Sequence, residues 1–360
     1  MNLKNYRLGY WPYHPEMKGP GDRRRFLFYC NERKLKFEIA STKERYDIVY
    51  LTVGCNITQW LEYKKRHPGT IIIFEVVDSY FLEGINIFSI FRGLAKFLLR
   101  KESRLYLNYK HQILKMVKKA DAVVCSTPIQ KDFLKRYNPN IHISLDYFLN
   151  DITHFKNQYD KNKPLKLIWE GQTYTVHNLL YLKTVLKELS QKIELHIITD
   201  PIIKYPFKIF DRKTSSLLSS LKCKYYIHEW HKESFSKIIS EMDLAIIPLN
   251  KNKYTKITMN KPENKLLLFW QIGLPVLASE SPAYMRVMKK ANLKFYCSSK
   301  SDWKTKIEEF IEMSKMEVEK GMEKAQNYID ANHSKELILK KWDDIFASIH
   351  KNNPFIQNVK

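Results

Sequence analysis

Short runs of β-branched and aliphatic residues alternate with amphipathic stretches through the first part of the chain. Residues 7–11, 47–53, 71–77, 122–126 and 141–145 read as strands. Residues 22–30, 56–67 and 128–136 read as helices, and a longer helical pattern ends at Lys118-Lys119. Apolar runs this short, bounded by helical segments, are the signature of a parallel sheet covered on both faces. A polar, helix-poor stretch at 150–164 then breaks the rhythm. It restarts with strands at 165–169, 194–199, 225–228, 244–247, 275–278 and 293–296. Helices at 176–189, 232–242, 263–271 and 281–290 alternate with them, and more helix follows to the end. The pattern predicts an α/β chain of two successive open-sheet domains, 1–160 and 161–333, with helix continuing through 334–350.

A chain of 360 residues, 44% hydrophobic and 13% aromatic, can fill two separate cores. Charge changes the picture further: 61 Lys and Arg against 38 Asp and Glu leave a formal +23. Such an excess draws a protein to anions, whether an acidic membrane surface, a diphosphate-bearing substrate or nucleic acid. Much of it is lysine on helical stretches, which solvates a surface equally well. No nucleic-acid-binding motif accompanies it, so nucleic acid is not an expected partner. Five scattered cysteines with no metal-ligand spacing fit a reducing, cytoplasmic setting. No apolar run follows a basic start, so no secretion signal is expected.

The candidate chemistry gathers in three places. Asn260-Lys261-Pro262-Glu263-Asn264-Lys265 leads into an apolar helical run, a stop at Gly273 and a short strand. Proline suits a helix start, and a helix start presents unpaired N–H groups and positive dipole potential to an anion such as a diphosphate. Lys265 and Lys256 would neutralise the same charge. Gly19-Pro20-Gly21-Asp22-Arg23-Arg24-Arg25 follows the first strand. Gly19 and Gly21 permit a tight turn, Asp22 is expected to cap the next helix, and Arg23 or Arg24 to reach a phosphate. The alternative is a capped surface helix with a charged face. Asp78 closes the strand at 71–77, where it either orients an acceptor hydroxyl, removes its proton as a general base, or simply caps the turn.

Other patterns exclude or leave open. No complete P-loop and no Asp-x-Asp pair at a strand end is present, so metal-independent chemistry without a cofactor is expected. His111, His142, His154 and His177 form no metal-spacing cluster. The apolar stretch 85–99 carries Arg92 and Lys96, too much charge for a membrane span. It reads either as an interfacial helix, with Arg100, Lys101 and Arg104 meeting anionic head groups, or as a core helix.

Several of these segments resemble the two-domain GT-B glycosyltransferases, in a divergent branch of the retaining family 4-like group (glycosyl transferases group 1). The polar helix start before Gly273-Leu274-Pro275-Val276 is similar to that group's donor-site segment. Lys166-Leu-Ile-Trp-Glu-Gly171 with His177-Asn178-Leu179 resembles the start of its donor domain. Trp230 and Met242-Asp243 through Pro248-Leu249 resemble its tryptophan, helix and "D-x-x-x-x-P-L" pattern. Tyr284 matches a position near the sugar diphosphate.

The resemblance implies two Rossmann-like domains facing each other across a cleft, with the last helix crossing back to the first domain at about 334–349, anchored by Trp342. It implies transfer from a nucleotide-sugar donor to a saccharide or lipid-linked glycan, with retention favoured over inversion, since the leaving diphosphate can take the acceptor proton. Gly171, Gln172, Lys256, Glu263, Asn264, Lys265 and Tyr284 would serve the donor; Gly19, Gly21, Asp22, Arg23, Arg24 and Asp78 the acceptor side. An anionic membrane surface is a further implied partner. Two departures stand out. Gln172, Thr173 and Tyr174 occupy the place where many members carry Arg and Lys, and Leu268 stands where many carry a ribose-binding glutamate. Both favour the alternative of a non-catalytic nucleotide- or carbohydrate-binding relative.

Overall fold

Alternation along β-branched strands sorts side chains onto two faces, and each face must find a cover. The computed structural model describes residues 3–82, 94, 97–98, 109–203, 211–250 and 255–352. The chain divides into two compact units, Met1–Tyr147 with Lys335–Lys360, and Phe148–Ser334. Residues 148–160, assigned by pattern to the first domain, sit in the second unit.

In the first unit, β1 (Leu8–Trp11), β2 (Glu38–Ile39), β3 (Ile48–Thr52), β4 (Ile71–Val76), β5 (Ala122–Cys125) and β6 (Ile141–Ile143) pair in parallel in the order β2-β1-β3-β4-β5-β6. Val49, Leu51, Ile72, Phe74 and Val123 face helices Ile57–Arg66 and Tyr109–Lys119, packing on Trp60, Tyr63, Ile113 and Met116. Tyr10, Ile48, Tyr50, Ile73 and Val124 point the other way, onto helix Phe26–Arg33 and the closing helix Lys335–Asn352. Trp342 is fully buried there, stacked on Tyr29 at 5.6 Å and against Phe26 and Tyr50. The last helix is therefore part of the first unit's core.

The helix expected at 22–30 is broken into Pro20–Arg23 and Phe26–Arg33. Arg25 leaves helical geometry (φ −127°, ψ −106°) and its side chain is buried, which the unbroken pattern does not reveal.

In the second unit, β7 (Leu165–Glu170), β8 (Ile193–Ile198), β11 (Tyr225–His228), β12 (Leu244–Ile247), β13 (Val276–Ser279) and β14 (Tyr296–Cys297) form a parallel sheet in the order β11-β8-β7-β12-β13-β14. The short strands β9 (Ile202–Ile203) and β10 (Arg212–Lys213) make a separate antiparallel ribbon. The helix expected at 176–189 is a 3-10 turn, Thr173–Thr175, followed by Val176–Leu180 and Lys183–Glu188. Both sheets reverse their strand order, at β1/β3 and at β7/β12. Open α/β sheets bind ligands at the carboxyl ends beside such reversals.

Candidate functional site

The reversal of the second sheet brings the end of β7 beside the start of helix Asn264–Ile272. Lys265 Nζ donates to the backbone carbonyl of Glu170, lies 3.3 Å from its carboxylate and sits 5.6 Å over the Trp169 ring. Gly171 makes this closeness possible. A Cβ there would stand 2.6 Å from the Trp169 ring and 2.8 Å from Thr175 Oγ1. Gln172, the exposed next residue, accepts at its carbonyl from Thr175 N (2.8 Å) and Oγ1 (2.7 Å), closing the turn.

Glu263 stands at the N-cap of the same helix but makes no capping bond. It is 5% exposed, and its Oε1 accepts from Arg286 Nη2 at 2.7 Å. Its Oε2 is buried with no hydrogen-bond partner among the described residues. Tyr284 is buried nearby. Burial, with the charges of Glu263 and Glu170, holds its proton on well above the ordinary tyrosine range. Burial and Glu263 likewise push Tyr328 up to about 12, against Arg286. The helix ends at Gly273, whose φ of 91° is the left-handed conformation glycine takes freely. The loop after β12 is pinned by Asn250 N to Asn178 Oδ1 (2.9 Å) and Leu249 N to Ser279 Oγ (2.8 Å).

Of the expected donor residues, Gly171, Glu263, Asn264, Lys265 and Tyr284 come together at this edge, with Gln172 at its rim. Lys256 is exposed on the short helix Thr255–Met259 and joins none of these contacts. Lys265 is not the unencumbered cation that its place in the motif suggests, since Glu170 already neutralises it.

The carboxyl edge of the first sheet holds the other candidates. Asp22 is no helix cap: it lies inside helix Pro20–Arg23 and is fully buried. Its carboxylate accepts from Tyr10 Oη (2.5 Å), Tyr13 N (2.8 Å) and His14 N (3.1 Å), so it folds the loop after β1 onto the sheet. Gly19 takes the N-cap position, where a Cβ would approach Asp22 Oδ2 to 3.2 Å; at Gly21 a Cβ would meet the Tyr13 ring at 3.0 Å. Arg23 spends its Nε on the Lys18 carbonyl (2.8 Å), and Arg24 is buried. Arg25 goes inward instead, with Nε 2.5 Å from Glu75 Oε1 and Nη1 3.2 Å from Asp146. The Tyr13 and Tyr50 hydroxyls are buried beside Glu75, whose charge and the surrounding burial hold their protons on. Asp78 is half-buried after β4, where Gln130 Nε2 ties down its neighbours Val77 O (2.6 Å) and Ser79 Oγ (2.9 Å). Among the described residues no group of three His, Cys, Asp or Glu side chains gathers as a metal-holding set.

No known protein-family profile matches the chain, and no curated protein matches it by sequence. Its fold does match solved structures. WaaG, a glycosyltransferase involved in lipopolysaccharide biosynthesis, aligns with a TM-score of 0.57 and 12% identity, over 94% of this chain and 99% of WaaG. An alpha-glucosyltransferase solved with UDP and a 13-mer DNA containing a HMU base gives 0.55 and 11%, over 95% and 99%. The fold is GT-B. A mutant of S. aureus TarM, in complex with Fondaparinux, alpha-GlcNAc-glycerol and UDP, gives 0.56 and 12%, over 83% of this chain and 55% of TarM. The chain thus spans about half of TarM's length.

Within this GT-B chain, two site residues escape sequence reading. Glu170 is hidden because a charge at a strand end looks like an ordinary boundary. Arg286 lies on helix Pro282–Lys290, and its pairing with Glu263 is tertiary. A membrane-interface helix at 85–99 lies almost wholly outside the described residues. Among those described, no helix is long and apolar enough to cross a membrane.

Proposed function

We propose that the chain is a glycosyltransferase that moves a sugar from a nucleotide-sugar donor to a saccharide or lipid-linked glycan. The observation that carries this reading is Glu263: a buried carboxylate at the sheet reversal, fixed by Arg286 through one oxygen and with no hydrogen-bond partner among the described residues on the other. A buried unpaired acceptor costs about 1–3 kcal/mol, which a ligand hydroxyl donating to Oε2 would offset. The ribose or sugar of a donor supplies such hydroxyls. The diphosphate would take N–H groups at the start of helix Asn264–Ile272, with Lys265 and Arg286 as the nearby cations. Binding there has to draw Lys265 part of the way from Glu170.

In this reading the family 4-like resemblance favours retention and metal-independent transfer, the diphosphate accepting the acceptor proton as it leaves. Asp78 and the Arg23-Arg24 turn belong to the acceptor side. A second reading, a binding-only relative, draws on the Glu170–Lys265 pairing and on Leu268, which is buried in place of a polar ribose ligand.

Thermal unfolding across a panel of nucleotide sugars, on wild type and Lys265→Ala together, tests the proposal. A donor at a hundredfold its Kd adds about 2.7 kcal/mol, roughly 5–10 °C for a unit of this size. One donor family should give that shift in wild type and less in Lys265→Ala. A folded protein indifferent to every donor would count against the reading.

A further inference from the structure

We propose that the donor taken by this site carries a free amine on its sugar, and that Glu170 is the residue that selects it. The inference rests on the nucleotide-sugar reading above and narrows it to aminosugar nucleotides. Glu170 ends β7, and its side chain is 20% exposed. It holds Lys265 twice: the carbonyl accepts from Nζ, and the carboxylate lies 3.3 Å away. Glu263 is buried, and its Oε2 has no hydrogen-bond partner among the described residues. The charges of both carboxylates act on buried Tyr284, so the two lie around one hydroxyl. Each has one cation, Lys265 for Glu170 and Arg286 for Glu263. The four charges cancel.

A diphosphate brings negative charge into this balanced set, and to be met by Lys265 it has to take that ammonium from Glu170. Glu170 is then a half-buried carboxylate beside an anion and without its cation, which is a costly state. The hydroxyls of a neutral hexose satisfy carboxylate oxygens but leave the charge uncompensated. An ammonium group on the sugar supplies both, by a charge-assisted hydrogen bond where Lys265 stood. Lys265 passes to the diphosphate and the sugar's ammonium takes its place. The rest of the edge has the same sign. Counting each strand's last residue and the two that follow, β7, β8, β11 and β13 present Glu170, Asp200, Glu229 and Glu280. None of the sheet's six strands presents Lys or Arg there, in a chain with 61 of them against 38 acids. An edge built to attract a diphosphate by charge alone would show the reverse. An acidic rim around a diphosphate site favours a ligand that carries positive charge of its own.

The test is isothermal titration of the full chain with matched donors. These are uridine and deoxythymidine diphosphate sugars with a free amine at C2 or C4, their N-acetylated forms, and the parent hexoses. Wild type should bind one free-amine donor at least about tenfold more tightly than both its N-acetylated and its hydroxyl counterpart. Glu170→Gln keeps the shape and loosens the hold on Lys265. It should weaken the free-amine donor about tenfold and bind the neutral donors as tightly as wild type or more so, erasing the preference. A residue needed only for the fold would weaken all donors together, and thermal unfolding reports the variant's stability. The wild-type comparison decides the question by itself if the variant does not fold. Equal binding of free-amine and neutral donors by wild type would overturn the proposal and leave nucleotide-sugar binding intact. So would a neutral donor raised to the same affinity by magnesium, or a preference that survives in Glu170→Gln. Binding of no donor at all would overturn the nucleotide-sugar reading as well.

Discussion

Replacing Glu263 by Gln separates a ligand-binding carboxylate from a structural one. The side chain is 5% exposed, its Oε1 is held by Arg286 at 2.7 Å, and Oε2 has no hydrogen-bond partner among the described residues. Gln keeps the shape, keeps an oxygen for Arg286, and puts an NH2 group where Oε2 stood. It also removes a charge that is only partly compensated in the fold. The stability change should therefore be small, within about 1 kcal/mol, because losing one charged hydrogen bond is offset by losing an unpaired buried anion. Donor binding should respond differently. A hydrogen bond from a ligand hydroxyl to a buried carboxylate is worth about 1.5–3 kcal/mol, which converts to roughly a 12- to 160-fold rise in Kd. Isothermal titration with a donor that wild type binds measures this, and urea unfolding measures stability on the same samples. Arg286→Gln is the counterpart. It strands both Glu263 oxygens and should cost about 2–4 kcal/mol, below the range for a fully buried pair because Arg286 is 28% exposed. If Glu263→Gln bound donor with wild-type affinity, the carboxylate would be structural and the reasoning wrong.

Other predictions follow from the same geometry. Gly171→Ala forces a Cβ to 2.6 Å from the ring of buried Trp169, and should destabilise by about 1–3 kcal/mol in urea unfolding, with weaker donor binding as the turn shifts. Arg25→Met leaves Glu75 buried without its cation and should cost about 3–5 kcal/mol; the double variant with Glu75→Leu should recover much of it. Stability should also fall with acid. Burial, with Lys131 for His142 and with His228 and Lys166 for His196, lowers both histidines from 6.5 to about 4. Between those values the unfolded chain holds protons that the folded chain does not, so stability is full above about pH 6.5 and drains as pH falls toward 4. The two rings together should lose on the order of 2 kcal/mol from pH 7 to pH 5 after solvent screening, and His196→Gln should flatten that slope in denaturant titrations.

The alternation of apolar runs and helices carried the two parallel sheets because fully buried strands need no further information than their own hydrophobic continuity. Trp342 was legible only through the resemblance, which implied a last helix anchored by it, and it is fully buried in the first unit's core. What pattern could not show is where charge goes inward. Arg23, Arg24 and Arg25 look alike in a row, yet Arg25 is the most deeply buried of them, because Glu75 on β4 and Asp146 after β6 meet it there. Asp22 looked like a cap since its neighbours suit a helix start; the loop amides it binds precede it in sequence and fold back over it. The donor-side segment was found through Pro262 and Gly273, local punctuation of a helix. Its partners Glu170 and Arg286 come from other elements and are joined to it only by the fold.

The measurement that bears most directly on the central claim is release of nucleoside diphosphate from a nucleotide-sugar panel, with and without saccharide and lipid-linked acceptors, by wild type and Glu263→Gln. Acceptor-dependent release from one donor family by wild type, reduced at least about tenfold in Glu263→Gln at subsaturating donor, is the predicted result. Tight donor binding with no release under any acceptor would contradict glycosyl transfer and leave a protein that binds the donor without using it.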